Sequence, residues 1–173
     1  MVILMKKKRL IYLMASYIAL ILWMSFIFMM SAQTGEISGN TSGSLIETIC
    51  NVLILDFEEL SEAEQASIIS QLSLPIRKAA HFMEYLILAV LANLVVMQSG
   101  INIKVTAFTV FISFFVGVLY AVTDEIHQLF IPGRAGTVTD VLIDSAGVLC
   151  GCLVFIFFYK LLKTKKPQPS SRG

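Results

Sequence analysis

Apolar residues in this chain gather in long runs rather than in short alternations. Residues 10–30 carry no charged side chain at all. Three further runs follow, at 76–98, 106–122 and 138–162; the second of these carries no charge, and the few charges of the other two lie toward their ends. A bilayer core of about 30 Å takes about 20 apolar residues of helix. Backbone groups in lipid must bond within their own segment, so each run is expected to be a helix. The pattern therefore predicts an all-α integral membrane bundle of four transmembrane helices.

Between the first two runs, residues 31–74 are polar at first. Gly35, Gly39 and Gly43, with Ser38, Asn40, Thr41 and Ser42, read as a loop. Two capping boxes come next. Ser44 with Glu47 opens a short helix carrying Leu45, Ile46, Ile49, Val52 and Leu53. Ser61 with Glu64 opens another carrying Ile68, Ile69 and Leu72. Both are amphipathic, which suits the membrane surface or a cover over the bundle. Pro75 fits the first turn of the second transmembrane helix, where its missing N–H costs nothing.

Composition agrees with a membrane chain. Of the 173 residues, 57% are hydrophobic and 14% charged, and the mean hydropathy is +0.81. A soluble domain is about one quarter charged. The net charge of +1 hides strong segregation. Lys6, Lys7, Lys8 and Arg9 precede the first run, Lys104 follows the second, and Lys160, Lys163, Lys165 and Lys166 border the end of the fourth. Four spans put all of these on one side, and basic flanks mark the cytoplasm. The expected division is a cytoplasmic basic N-terminus at 1–9, a membrane domain at 10–162 and a cytoplasmic tail at 163–173. Arg77, Lys78 and Arg134 then fall outside. No basic face points to nucleic acid. The first run exceeds a signal-peptide core, and Met30-Ser31-Ala32 is a poor cleavage site, so it is read as an anchor. Cys50, Cys150 and Cys152 form no CxxC pair and are read as free thiols.

Ionisable groups inside transmembrane segments are costly and mark candidate sites. Here they gather at one level. Arg77, Lys78, His81, Glu84 and Tyr85 lie at the outer end of the second helix, and Lys78, His81 and Tyr85 share a face. Asp124, Glu125, His127 and Gln128 end the third. A Pro132-Gly133 turn presents Arg134, and Asp140 and Asp144 begin the fourth helix, in line with Gly147 and Gly151. One reading is a set of ion pairs that locks the bundle. The other is a pocket in which Arg134 grips an anion through its planar fork. In that reading Lys78, Tyr85, Gln128, Asp140 and Asp144 line it, and His81, Glu84, Asp124 and Glu125 are the acid or base candidates. A metal on His81, His127, Asp124 and Asp140 lacks any supporting ligand spacing, so neither metal nor cofactor is expected. Ser113, Gly117 and Trp23 are read as packing positions, Trp23 with lipid contact as its alternative.

The runs Arg77-Lys78-Ala79-Ala80-His81-Phe82-Met83-Glu84-Tyr85, Asp124-Glu125-Ile126-His127-Gln128-Leu129-Phe130-Ile131-Pro132-Gly133-Arg134 and Asp140-Val141-Leu142-Ile143-Asp144-Ser145-Ala146-Gly147 resemble the VanZ family, over roughly 10–162. Ser31-Ala32-Gln33-Thr34-Gly35 fits as well. Many members carry Asn where Asp144 stands. The resemblance implies a multi-pass protein of the bacterial cell membrane linked to resistance against the glycopeptide teicoplanin. Some members carry a phosphotransbutyrylase label, which suits a cytoplasmic site better than an outer cluster.

Three functions are weighed. One is an envelope accessory factor whose partners are the bilayer and a lipid-linked precursor or lipoglycopeptide. One is a membrane enzyme acting on a lipid-linked or phosphorylated substrate. A transporter is disfavoured by the lack of an inverted repeat. No serine or cysteine nucleophile stands beside a histidine, which argues against covalent acyl transfer. The orientation has a direct check. In intact cells, single cysteines placed within 35–44 or near Gly133 are expected to react with an impermeant maleimide. Those placed at Lys104 or Lys165 are expected to stay unlabelled, and labelling at Lys104 would invert the assignment.

Overall fold

The computed structural model describes residues 2–99 and 107–164. Expectations resting on Lys104, Thr106, Lys165, Lys166 and the tail from Pro167 fall outside the described residues. Five α-helices follow in order: α1 Val2–Ser31, α2 Gly35–Leu53, α3 Glu62–Gln98, α4 Ala107–Gln128 and α5 Val138–Thr164, with a 3-10 turn Phe57–Glu59 after α2. Among the described residues there is no strand. Four helices are long and apolar enough to cross a membrane: α1, α3, α4 and α5. The chain is thus a multi-pass membrane protein built as an all-α bundle.

The α3–α5 interface is the most extensive in the bundle. It depends on two glycines. A Cβ at Gly147 would fall on the carbonyl oxygen of Phe82, and one at Gly151 on that of Leu86. The pairs 82/147 and 86/151 advance together along both helices, so α3 and α5 run parallel. Gly117 gives α4 the same closeness to α5, because a Cβ there would stand 2.8 Å from a Val148 methyl. Within this core, Asn93 Nδ2 donates to the Ala89 carbonyl at 2.8 Å and to Cys152 Sγ at 3.4 Å. Cys152 is fully buried while Cys150 is half-buried, and all three cysteines are free.

α1 lies at the edge. Leu10, Ile11, Met14, Ile18, Ile21 and Leu22 are exposed, as lipid-facing side chains would be. Trp23 packs inward instead and donates from Nε1 to the Glu84 carbonyl at 2.9 Å. The Tyr120 hydroxyl donates to the Met24 carbonyl at 2.7 Å. At the opposite end Arg9 Nε donates to the Gln98 carbonyl at 3.3 Å, where the helix dipole favours a cation.

Two local expectations are corrected. Residues 35–44 are helical, not a loop. Thr34 caps α2 by accepting from the Ile37 amide, and the Gly35 amide donates to the Pro132 carbonyl at 3.0 Å. Three glycines cost a helix about 1 kcal/mol each, and tertiary anchoring at the first turn and at buried Ile46 and Cys50 overrides that cost. Ser44 is consequently mid-helix and forms no cap; its carbonyl accepts the Thr48 hydroxyl. The second correction concerns Pro75, which lies inside α3 rather than at its start. The Ser61–Glu64 capping box does form, and α3 runs from it without a break. Interior proline costs about 3 kcal/mol or more. Leu72 and Ile76, packed beside Ile46, Cys50 and Phe57, hold the helix together on both sides of it. The 37 residues of α3 span about 55 Å at 1.5 Å per residue. That exceeds the bilayer core, so the N-terminal part of α3 pairs with α2 as a helical hairpin beyond the apolar bundle. The third transmembrane helix also continues past Val122, to Gln128.

The glycine contacts give a paired test. Gly151→Val is expected to destabilise the bundle by about 1–3 kcal/mol, the usual cost of overpacking. Gly39→Ala, at a position with nothing within 4 Å of the added methyl, is expected to leave stability unchanged or raise it by up to about 1 kcal/mol. Thermal unfolding of the purified proteins in one detergent compares them.

Candidate functional site

One end of the bundle collects the polar groups. The C-terminus of α1, the start of α2, the middle of α3, the C-terminus of α4, the α4–α5 turn and the start of α5 all meet there. The Pro132-Gly133 turn forms as the sequence suggests: Gly133 has φ +73°, and the Arg134 amide donates to the Ile131 carbonyl at 3.1 Å. A Cβ at Gly35 would fall on the Gly133 carbonyl, so two chain turns touch backbone to backbone.

Arg134 binds this junction from the side. Its Nη2 donates to the Met30 carbonyl and its Nε to the Gln33 carbonyl, each at 3.0 Å. These acceptors lie at the C-terminal end of α1, where carbonyls lack helical partners and the dipole favours a cation. Burial, and next Arg77, pull the guanidinium below its ordinary value, while Asp124, Glu125 and Glu84 oppose the shift. Two of its five donors are thereby committed.

Glu125 is committed too. Its Oε1 accepts from the Thr137 amide at 2.6 Å, and the Thr137 hydroxyl accepts from the Asp140 amide at 3.1 Å, which caps α5. Lys78 Nζ and Asp140 Oδ1 form an ion pair at 3.0 Å. His81 Nδ1 stands 3.7 Å from Asp144 Oδ1, too far for a hydrogen bond. Asp144 is fully buried. Its two oxygens, Asp124 Oδ2, the Tyr85 hydroxyl and Gln128 Nε2 have no hydrogen-bond partner among the described residues.

Two cavities open between these groups. The smaller, about 110 Å³, lies under α2 and is lined by His81, Glu84, Asp124 and Arg134 together with Ile27 and Ser31. The larger, about 360 Å³, lies beside the α4–α5 turn and is lined by Lys78, Gln128, Thr137 and Asp140. Arg77, His81 and Arg134 belong to both walls. The charged lining is balanced, with Glu84, Asp124 and Asp140 against Arg77, Lys78 and Arg134. Such a site can hold an anion by its guanidinium groups and can exchange protons at Glu84, His81 or Asp124.

The structure therefore brings together Lys78, His81, Glu84, Asp124, Gln128, Arg134 and Asp140 around the cavities. Tyr85, Glu125 and Asp144 stand behind the walls instead. Tyr85 belongs to the apolar core, its ring 6.2 Å from that of Tyr120. His127 turns toward α1 and stacks on Phe28 at 4.7 Å, away from the other candidate ligands. Among the described residues no three His, Cys, Asp or Glu side chains are grouped to hold a metal. Sequence reasoning missed Ser31, Ser38, Thr41 and Ser42, which line the smaller cavity. Their helical spacing was visible but carried no weight while 35–44 was read as a loop.

A family model described as VanZ/LLP1 matches residues 16–159, a range that includes every residue of both cavity walls. No curated protein and no solved structure matches the chain.

Arg134→Lys separates charge from geometry. Lysine keeps the charge but cannot bridge Met30 and Gln33 with one planar group. Loss of one charged hydrogen bond is expected to cost about 1.5–3 kcal/mol. A melting curve unchanged from the parent protein would show that the clasp on α1 contributes nothing.

Proposed function

The chain belongs to the VanZ/LLP1 family, and from that premise we propose that it is an accessory factor of the bacterial envelope that lowers susceptibility to teicoplanin-type glycopeptides. The carrying observation is the pair of mixed-charge cavities set at one end of an apolar bundle. Basic flanks around Lys8 and Arg9 support an orientation with both termini in the cytoplasm, which puts the cavities at the outer leaflet. Residues 10–162 are then the membrane domain, between a short basic N-terminus and a cytoplasmic tail. At that leaflet the site meets lipid-linked envelope precursors and the lipid tails of lipoglycopeptides. Arg134 and Lys78 hold an anionic group, and Gln128 and Asp140 shape the larger cavity around it. Tyr85 and Asp144 support the wall from behind.

A second reading is favoured by the grouping of His81, Glu84 and Asp124 against Arg77 and Arg134 in one cavity. Acid–base groups beside an anion holder suit an enzyme acting on a lipid-linked or phosphorylated envelope substrate. Glu125, bound to the Thr137 amide, is better placed as a positioning group than as the base.

Controlled expression in a susceptible host distinguishes these readings. The protein is expected to raise the inhibitory concentration of a lipidated glycopeptide more than that of a non-lipidated one. Equal shifts, or none, would sink the accessory role. Glu84→Gln and His81→Ala are expected to abolish the effect at unchanged membrane abundance if the site does chemistry. If every loss of effect tracks a loss of folded protein, the cluster is a structural lock.

A further inference from the structure

Of the two cavities, the smaller carries an unusual combination of groups. Asp124 is 4% exposed and Ser31 is 3% exposed, yet Asp124 Oδ2 and Ser31 Oγ lack any hydrogen-bond partner among the described residues. Both residues line this cavity. Buried polar atoms are ordinarily satisfied, because leaving them bare is costly. An occupant of the cavity would lie against this wall, where the Tyr85 hydroxyl already stands close to Asp124 from behind.

The charges of the wall restrict that occupant. Glu84 and Asp124 face the same space as Arg77 and Arg134. A plain anion would be set against two carboxylates, and a plain cation against two guanidinium groups. A group that carries an ammonium and an oxyanion a few bonds apart meets both. The rest of the lining mixes apolar groups, Ile27, Leu45 and Ile76 among them, with His81 and the hydroxyls of Ser31, Ser38, Thr41 and Ser42. A volume of about 110 Å³ takes a small head group but no acyl chain. No Phe, Tyr or Trp lines the cavity. A quaternary ammonium is usually held against aromatic faces, whereas carboxylates accept N–H bonds from a primary ammonium.

We propose that this cavity holds the head group of an aminophospholipid, with its primary ammonium at Asp124 and Glu84 and its phosphate at Arg77 and Arg134, while its acyl chains remain in the bilayer. Ser31 supplies a hydroxyl to the phosphate. This rests on the reading of the cluster as a ligand site and names the ligand class.

The test is lipid retention by the full chain, purified in detergent and measured by native mass spectrometry. The probes are phosphatidylethanolamine, phosphatidylcholine and phosphatidylglycerol with matched acyl chains. Phosphatidylethanolamine is expected to be retained about tenfold more strongly than either, the order expected from one charge-assisted hydrogen bond. Asp124→Asn and Glu84→Gln should each remove that preference, with thermal unfolding checked for both. Arg77→Gln, at an exposed position, should weaken retention of all phospholipids without unfolding the chain. Equal retention of the three lipids by the parent protein overturns the proposal. So does an undiminished preference in both carboxylate variants. Complete displacement by an equal concentration of glycerophosphoethanolamine would place the ligand in solution rather than in the membrane and overturn it as well. Preferential retention of phosphatidylglycerol, lost in Arg77→Gln, would leave a ligand site but refute the ammonium. If no lipid is retained in an Arg77- or Asp124-dependent way, both this proposal and the ligand-site reading fail.

Discussion

The near-contact of α3 and α5 governs the rest of the bundle. Gly147 and Gly151 lie on the backbone of α3, with no side chain between. Helices that close cannot slide without a clash, so their register is set in steps of one turn. That register carries Lys78 to Asp140 and His81 to Asp144, about two turns and one turn before Gly147. The same stripe places Cys152 within reach of Asn93 further along. A tight apolar seam thus positions charged groups that would be too costly to bring together by attraction alone.

The polar end divides its groups between support and exposure to the cavities. Arg134 spends two donors on α1, and Glu125 holds the start of α5 through Thr137. Asp140 is neutralised by Lys78. Asp124 and Ser31 line the smaller cavity and keep buried atoms without a hydrogen-bond partner among the described residues. Reading the whole cluster as a lock, or the whole cluster as a site, misses this division. Asp124 and Glu125, adjacent in sequence, take different parts of the work.

Much of this was legible in sequence. Apolar run length marked the four spans, and the capping box at Ser61 marked a helix start, although that helix is the beginning of α3 and not a separate one. The gathering of charged groups at one level followed from topology alone. Three features were hidden, each for a physical reason. Residues 35–44 look like a loop because glycine and serine have poor helical propensity, and only contacts with Pro132 and Gly133 outweigh it. Pro75 looks like a helix start because its cost is offset by apolar packing from another helix. The partners of Arg134 are main-chain carbonyls, which leave no trace in a pattern of side chains. His127 joins Phe28 for a related reason, since ring stacking between distant helices has no spacing rule.

The way α1 is held has an evolutionary consequence. Tyr120 takes the carbonyl of Met24, and Arg134 takes those of Met30 and Gln33. Every amino acid carries a carbonyl, so these attachment points survive almost any replacement of the side chains beside them. The lipid-facing residues of α1 are therefore free to drift as long as they stay apolar. Beside Trp23 of α1 itself, the burden of keeping the helix in place falls on Tyr120 and Arg134, far along the chain from the segment they secure. Selection would purge changes at those two positions first, and a reader of α1 alone would see no reason for it.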